Sequence, residues 1–273
     1  MEKHIVPQYL LRKRLMLTVM CVLSSTLARA DEPIRVRILS YNIHHAEGVD
    51  KKLDVERIAK VILSVKPDIV ALQEVDQNAT RSLSVDQPAE LARLCSMNVE
   101  FGANIPLQGG HYGNVILSRF PINQHSNHRL ANINNGEQRG VLVGEIKVSD
   151  DSESIVFFAT HLDHRRDDRE RVASARGINK LASVYGNRSM FLAGDLNDVI
   201  GSPTLDEFDA EWTRTNATPL PTIPVTAPQR QIDFVLYRPA NRWKVIEVKV
   251  LDEVVASDHR GILAVLELSR RTD

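Results

Sequence analysis

Cysteine is almost absent from this sequence. Only Cys21 and Cys95 occur among its 273 residues, and Cys21 lies in an N-terminal segment whose pattern predicts its removal. With Cys95 alone in the mature chain, an intrachain disulfide is excluded, so stability has to come from the core or from a bound metal. Cys95 stands in the run LARLCSMN, which is most simply the buried face of a helix.

A long transmembrane run is missing as well. Residues 1–30 combine a basic region at 12–14 with the apolar run LMLTVMCVLSSTLA, which leads into an A-x-A site before Asp31. This layout is typical of a secretory signal peptide, and the run is shorter than the about 20 residues that a transmembrane helix needs. We expect export to a periplasm or out of the cell, with no transmembrane segment left after cleavage. A segment kept as an uncleaved anchor is the alternative.

The sequence also lacks an excess of basic charge. The whole chain has a net charge of -1 and residues 1–30 carry five basic and one acidic residue, which leaves about -5 on the rest. A mildly acidic protein has no broad positive field with which to bind a polyanion, which weighs against a dedicated DNA-binding protein. Internal repeats, low-complexity tracts and linkers are missing too, so residues 31–273 are predicted to form a single domain.

Short segments rich in β-branched residues and bounded by Gly, Pro, Asn or Asp predict the strands. They lie near 34–42, 69–74, 114–118, 141–148, 155–160, 190–194, 232–237, 244–251 and 262–268. Apolar residues spaced three and four apart predict helices over about 55–65 and 168–184, with a weaker one over 87–96. Strands outnumber helices and several follow one another at hairpin distance. This pattern favours an α/β protein with mixed or antiparallel sheets.

Polar side chains that bind metals or move protons stand at the ends of these strands. They are Asn42, Glu74, His161, Asp195 with Asn197, Asp233, and Asp258 with His259. Each has an ordinary explanation when taken alone, since Gly-Asp-x-Asn makes a good turn and a lone Glu or His is commonly structural. Strands that run in opposite directions place the ends of some beside the starts of others. The whole set can therefore meet on one rim, and so many coincidences together favour a functional site.

The chemistry of this set suits phosphate esters. Carboxylate and amide oxygens without clustered cysteines are ligands for Mg²⁺ or Mn²⁺, and Asn42, Glu74 and Asp258 provide them. A histidine held by a carboxylate, as in His259 with Asp233, is typical of a base and the group that orients it. Asp195 and Asn197 can position an attacking water and a phosphate oxygen.

Seven motifs in this order resemble the endonuclease/exonuclease/phosphatase superfamily, the DNase I-like fold. They are SYNIHH, LQEVD, GNVILSRFPI, ATHLDH, LAGDLND, RQIDFVLY and ASDHRG, and they span about residues 36–267. The resemblance implies a four-layer α/β sandwich, in which two packed mixed β-sheets are flanked by helices, and Mg²⁺-dependent hydrolysis of phosphate esters. It assigns Asn42, Glu74 and Asp258 to the metal site. It assigns Asp195 and Asn197 to water and phosphate positioning, His161 to a general acid or phosphate contact, and Asp233 with His259 to a histidine dyad.

Two further residues have weaker support. By resemblance Asn114 supports the phosphate site, and its alternative is a turn residue. Arg139 opens a strand and could bind a phosphate through its guanidinium group, and a surface arginine before an edge strand is the alternative.

The motifs leave the substrate open. Abasic-site nucleases of the superfamily usually carry Asp where this chain has His44 and lack a histidine at the position of His161, which resembles DNase I and the sphingomyelinases instead. Nuclease, phospholipase- or sphingomyelinase-like enzyme and phosphatase all remain possible, with a phosphate ester as the partner and no protein partner implied. A non-catalytic module that binds a phosphate ligand is the alternative outside the enzymes.

Overall fold

The computed structural model describes residues 1–2, 33–133, 135–148 and 154–269. Pro33–Asp273 forms one compact unit, whereas the predicted signal peptide, 1–30, lies outside the described residues apart from Met1 and Glu2. Its cleavage therefore stays a prediction. Within the part that the structure describes, no helix combines the length and the apolar character needed to cross a membrane.

Within these residues the secondary structure alternates between strands and short helices. The strands are β1 (Arg35–Asn42), β2 (Ile69–Gln77), β3 (Asn98–Leu107), β4 (Gly110–Ser118), β5 (Ile122–Arg129), β6 (Gly140–Ile146), β7 (Ile155–His161), β8 (Met190–Asp195), β9 (Thr213–Arg214), β10 (Asp233–Arg238), β11 (Trp243–Val250) and β12 (Ile262–Leu268). The α-helices are α1 (Val55–Ser64), α2 (Gln87–Cys95), α3 (Arg169–Ser183) and α4 (Pro203–Asp209).

The strands form two mixed sheets, and each described sheet has six strands. One has the order β11-β12-β1-β2-β4-β3 and the other β5-β6-β7-β8-β10-β9. In each sheet one central pair is parallel, β1 with β2 and β7 with β8, and the other neighbouring strands pair antiparallel. The mixed topology predicted from the strand spacing is confirmed.

Alternation along the strands divides the core into layers. In β1, Val36 and Ile38 point between the two sheets, whereas Leu39 and Tyr41 point to the outer face, where α1 and α2 pack. The outer face of the other sheet packs against α3 and α4. Burying one large apolar side chain contributes about 1.5–3 kcal/mol, so both faces of each sheet must be covered. The four-layer α/β sandwich is confirmed.

Local sequence explains where the predicted helices begin. Asp54 precedes α1 and accepts a hydrogen bond from the backbone N–H of Arg57 at 2.8 Å, and Asp86 does the same for Ala89 at 3.0 Å ahead of α2. Such side-chain caps satisfy backbone donors that have no partner inside the helix. Cys95 ends α2 and is buried, as predicted.

Four elements were not predicted. β3 and β5 are edge strands. β5 is mostly polar and exposed, so it lacks the period-two pattern of a half-buried strand. β3 does alternate apolar and polar residues, but it contains Gly102 and Pro106, and both residue types are depleted in strands. β9 has two residues and α4 has seven, lengths too short for a periodic signal.

Candidate active site

Strand register brings the predicted polar residues to one rim. β7 and β8 run parallel with His161 opposite Asp195, and β10 starts at Asp233, which lies opposite Asp195 on the other side. The other sheet delivers Asn42 at the end of β1. The side-chain amide of Asn42 donates to Asp195 Oδ2 at 3.1 Å and to Glu74 Oε1 at 3.0 Å. Asn42 therefore joins the two sheets at the site.

Glu74 reaches the rim through an irregularity in β2. The pairing of β2 with β4 shifts register between Leu72 and Val75, and Glu74 has a positive φ of 60°. A left-handed conformation at a residue other than glycine costs on the order of 1–3 kcal/mol, and bulges commonly re-aim a side chain next to an active site. The half-buried Glu74 carboxylate lines the same pocket as Asp195.

The segment Gly194–Asp198 is both a turn and part of the site. A Cβ at Gly194 would lie 2.1 Å from the carbonyl oxygen of Thr160, so the close approach of β8 to β7 requires glycine. Asp195 Oδ1 accepts from the backbone N–H of Asn197 at 2.9 Å, and Asn197 has a φ of 51°. The turn thereby places both side chains at the pocket. Asp198 instead accepts from Arg171 of α3 at 3.0 Å.

His259 lies between two buried carboxylates. Its Nδ1 is 2.9 Å from Asp233 Oδ2, and its Nε2 is 3.7 Å from Asp195 Oδ2. Burial by itself lowers the pKa of His259, but the charges of Asp233 and Asp195 outweigh it and raise the pKa to about 10. His259 is therefore a cation at neutral pH in this arrangement, with both ring nitrogens as donors. It can donate to a phosphate oxygen, whereas the sequence predicted a base.

Asp195 is buried, and burial favours its neutral form because a buried carboxylate is costly to ionise. Its exposure is 1%. Burial, followed by the charge of Asp233, raises the pKa of Asp195 to about 7, while His259 opposes the change. A carboxyl group that titrates near neutrality is suited to accept a proton from water.

His161 is held from both sides and stays neutral. Arg139 Nη1 lies 3.1 Å from its Nδ1, and since a guanidinium group only donates, this nitrogen accepts and Nε2 carries the hydrogen. Nε2 lies 3.5 Å from Asp195 Oδ2, which can accept its hydrogen. It also lies 3.0 Å from the side-chain amide nitrogen of Asn197, which itself donates to the carbonyl oxygen of Leu162. Burial first, and then the positive charge of Arg139, hold the pKa of His161 well below its usual value.

The two weaker candidates turn out to be neighbours. Arg139 is buried and lines the pocket, where it also contacts Glu137 at 2.7 Å and His164 at 3.2 Å. Asn114 is buried too, and its amide donates to the carbonyl oxygen of Gly140 at 3.1 Å. It thus holds the strand start next to Arg139 and acts on the site only through that backbone.

Asp258 differs from the other predicted site residues in its exposure to solvent. Its side chain is exposed, and its Oδ1 accepts from Ser257 at 3.4 Å. Among the described residues, the lining of the pocket includes Glu74, Asp195 and His259 but not Asp258. Its role as a metal ligand stays a prediction.

The pocket has a volume of about 360 Å³, and half of its lining was missed from the sequence. The missed residues are Arg81, Ile105, Leu107, Tyr112, Glu137 and His164. His164 closes the motif ATHLDH, which could have drawn attention to it. Arg81 gave no such signal, because it lies in a 3-10 turn and its place is set by a bidentate pair with the buried Asp76 at 2.8 Å.

The donor set fits a hard divalent cation. The carboxylates of Glu74 and Asp195 converge on Asn42, and both line the pocket. Carboxylate oxygens beside a phosphate ester are the ligands with which Mg²⁺ is usually held in enzymes. The amide of Asn42 faces these carboxylates, while its Oδ1 accepts from the backbone N–H of His44 at 3.0 Å. In this arrangement Asn42 connects the ligands, and its predicted place among them stays a prediction.

Comparison with protein families identifies the family of this chain. The model of the Endonuclease/Exonuclease/phosphatase family matches residues 39–259, so the chain belongs to this family. The activities in the family's name all break phosphoester bonds, which supports a phosphoester hydrolase.

Individual proteins resemble the chain over most of its length. The Escherichia coli K12 protein YbhP is 26% identical over 250 residues, which cover 85% of this chain and 96% of that protein. The structure of an endonuclease/exonuclease/phosphatase from Beutenbergia cavernae is 27% identical with a TM-score of 0.71, and the match covers 86% of this chain and 72% of that one. A mannosyl-6-phosphatase of Bacteroides thetaiotaomicron, 18% identical, has a TM-score of 0.69 over 85% of this chain and 99% of its own, and shares the fold.

Proposed function

We propose that the protein is an exported, Mg²⁺- or Mn²⁺-dependent phosphoesterase that hydrolyses a phosphodiester by in-line attack of water. The observation that supports it most is the bridge of Asn42 between Glu74 and Asp195. This bridge puts the carboxylates of both sheets into a pocket that also holds His161 and His259. Negative groups for a cation and positive groups for a phosphate thus share one pocket.

Each side chain has a role that follows from its surroundings. Glu74 would hold the divalent cation together with Asn42 and Asp258, two ligands that the family resemblance assigns, and the charge of the cation would stabilise the phosphoryl oxygens when bound. Asp195, oriented by Asn42 and Asn197, accepts the proton of the attacking water. Cationic His259 donates to a phosphoryl oxygen, and Asp233 keeps it charged and oriented.

Arg139 and His161, which both line the pocket, would contact the phosphate group. Arg139 is fixed by Glu137 and His161, and His161 keeps its Nε2 hydrogen directed towards Asp195 Oδ2. Fixed donors of this kind stabilise charge that develops on a transferring phosphoryl group.

A phosphomonoesterase is the second candidate, and the pocket itself favours it. Arg81 and Arg139 both line the cavity of about 360 Å³, and a terminal phosphate carries more negative charge than a diester for two guanidinium groups to bind. The small cavity and the net charge of -1 weigh against a nuclease that follows a long polyanion.

The proposal is tested with bis-p-nitrophenyl phosphate as the diester and p-nitrophenyl phosphate as the monoester, each with Mg²⁺, with Mn²⁺ and with EDTA. We expect hydrolysis that EDTA abolishes. Asp195→Asn should lower kcat by about 10²–10⁴-fold, the usual contribution of a positioned acid or base. Asp198→Asn is the matched control from the same turn and should stay within about threefold of wild type, as expected for a residue outside the pocket.

Several outcomes would count against the proposal. Equal activity of Asp195→Asn and Asp198→Asn would contradict the assigned roles. Metal binding without turnover of nucleic acid, phospholipid or sugar phosphates would favour the non-catalytic module.

A further inference from the structure

Two adjacent histidines follow β1 in an unusual backbone conformation. His44, His45 and Ala46 form a 3-10 turn in which all three residues have positive φ, at 46°, 44° and 63°. Such angles are uncommon outside glycine, and strained residues persist only where the surrounding structure holds them. Here the side chain of Gln87 donates to the carbonyl oxygen of His45 at 2.7 Å and thereby fixes the turn.

The turn brings both imidazoles beside Glu74. One ligand atom from each of His44, His45 and Glu74 lies within 4.8 Å of the others. Glu74 is itself held with a positive φ of 60°. The strained turn His44–Ala46 after β1 and the strained residue Glu74 in β2 therefore lie side by side.

The hydrogen bonding of His44 leaves a free ligand atom. Its Nδ1 lies 3.0 Å from the carbonyl oxygen of Glu47, and because a carbonyl only accepts, Nδ1 carries the hydrogen. The lone pair of the neutral ring is then on Nε2. Histidines that bind metal ions in proteins are usually oriented in this way, with the second ring nitrogen donating to a carbonyl or carboxylate.

His45 contributes a buried nitrogen that lacks a partner. Its side chain is 12% exposed, and its Nδ1 has no hydrogen-bond partner among the described residues. A buried polar atom without a partner is unfavourable, because it has lost its hydrogen bonds to water without replacing them. A metal ion that accepts the lone pair of this nitrogen would give the atom a partner.

We propose that His44, His45 and Glu74 bind one Zn²⁺ ion. Two imidazoles and one carboxylate suit transition metals, whereas Mg²⁺ prefers an all-oxygen set. The second group of metal-binding side chains, Asp195, Asp233 and His259, is already paired internally by the 2.9 Å contact between His259 and Asp233. The inference rests on the proposed function only because Glu74 belongs both to the proposed Mg²⁺ or Mn²⁺ site and to the proposed Zn²⁺ site.

The test is a titration of the full-length, tag-free protein with Zn²⁺ and with Mg²⁺ by calorimetry. Wild type should bind one Zn²⁺ more tightly than Mg²⁺, and His44→Gln and His45→Gln should each weaken Zn²⁺ binding at least tenfold. His111→Gln is the matched control, since His111 is exposed on β4 and belongs to neither group. It should remain within twofold of wild type. Equal Zn²⁺ affinity in all variants, or no preference for Zn²⁺ in wild type, would overturn the proposal.

Anomalous diffraction from crystals of wild type soaked in Zn²⁺ needs no variant and covers the case in which a substitution unfolds the chain. A peak between His44, His45 and Glu74 supports the proposal, and a peak only at Asp195, Asp233 and His259, or none, overturns it. Tight Zn²⁺ binding at the histidines without hydrolysis would contradict the proposed function alone. Hydrolysis with Mg²⁺ but without a Zn²⁺ preference would contradict this inference alone.

Discussion

Asp233 and Asp195 are almost completely buried, with exposures of 0% and 1%. Isolated buried carboxylates are expensive, and they occur where a partner compensates for the lost water. The cationic ring of His259 between them is that partner. The pair of Asp233 and His259 therefore stabilises this rim of the fold, and it also takes part in the proposed chemistry.

We expect the ring of His259 to stay protonated through neutral pH and to titrate near its pKa of about 10. In Asp233→Asn one of the three carboxylates that raise the pKa of His259 is lost, while the burial that lowers this pKa remains. The pKa should then fall by about one to three pH units. Proton NMR of the imidazole resonances measures it. Asp252→Asn, which removes an exposed carboxylate, is the control and should leave the titration unchanged.

The same pKa sets a dependence of stability on pH. A raised histidine pKa stabilises the fold fully below its usual value of 6.5, and this contribution is lost as the pH rises through about 10. The free energy of unfolding should therefore decrease between pH 7 and pH 10, and less steeply in Asp233→Asn. Parallel slopes for the two proteins in urea denaturation would contradict the assignment.

At the scale of elements, capping and periodicity were the reliable signals. The helices α1, α2 and α3 were predicted to within about two residues at their ends. An apolar stripe marks each of them, and a capping carboxylate precedes α1 and α2. The edge strand β5 was missed because its mostly polar sequence carries no alternation. β3 was missed although its apolar residues alternate, because it contains Gly102 and Pro106, which are typical of turns. Each pairs with the next strand along the chain, β3 with β4 across the two-residue turn of Gln108 and Gly109, and β5 with β6.

Removal of the cap of α1 should have a measurable cost. Asp54→Ala loses the hydrogen bond to the N–H of Arg57 and should lower the free energy of unfolding by about 0.5–2 kcal/mol. Glu56→Ala lies in the first turn of the same helix but is exposed and does not cap it. It should cost less than Asp54→Ala in the same urea denaturation, and an equal cost would show that the cap is not the cause.

At the scale of the whole molecule, the N-terminal pattern predicts export. Expression of the full sequence should yield a mature protein that begins at Asp31, measured by intact-mass spectrometry of the periplasmic fraction and the medium. Ala30→Lys should block cleavage, because the site requires small residues. A full-length mass for the wild-type protein in every fraction would contradict cleavage and favour an anchor.

The sequence by itself determined the family, the layered α/β class and the list of polar residues at strand ends, because hydrophobic periodicity and motif order are written along the chain. Only the tertiary structure decided which of these residues meet. His161 and Asp195 converge through strand register. His259, from the segment before β12, lines the same pocket, whereas the Asp258 side chain is exposed outside it. It also decided their charge states and the approach of His44 and His45 to Glu74. Burial, register and backbone strain depend on contacts between distant segments, and no local pattern contains them.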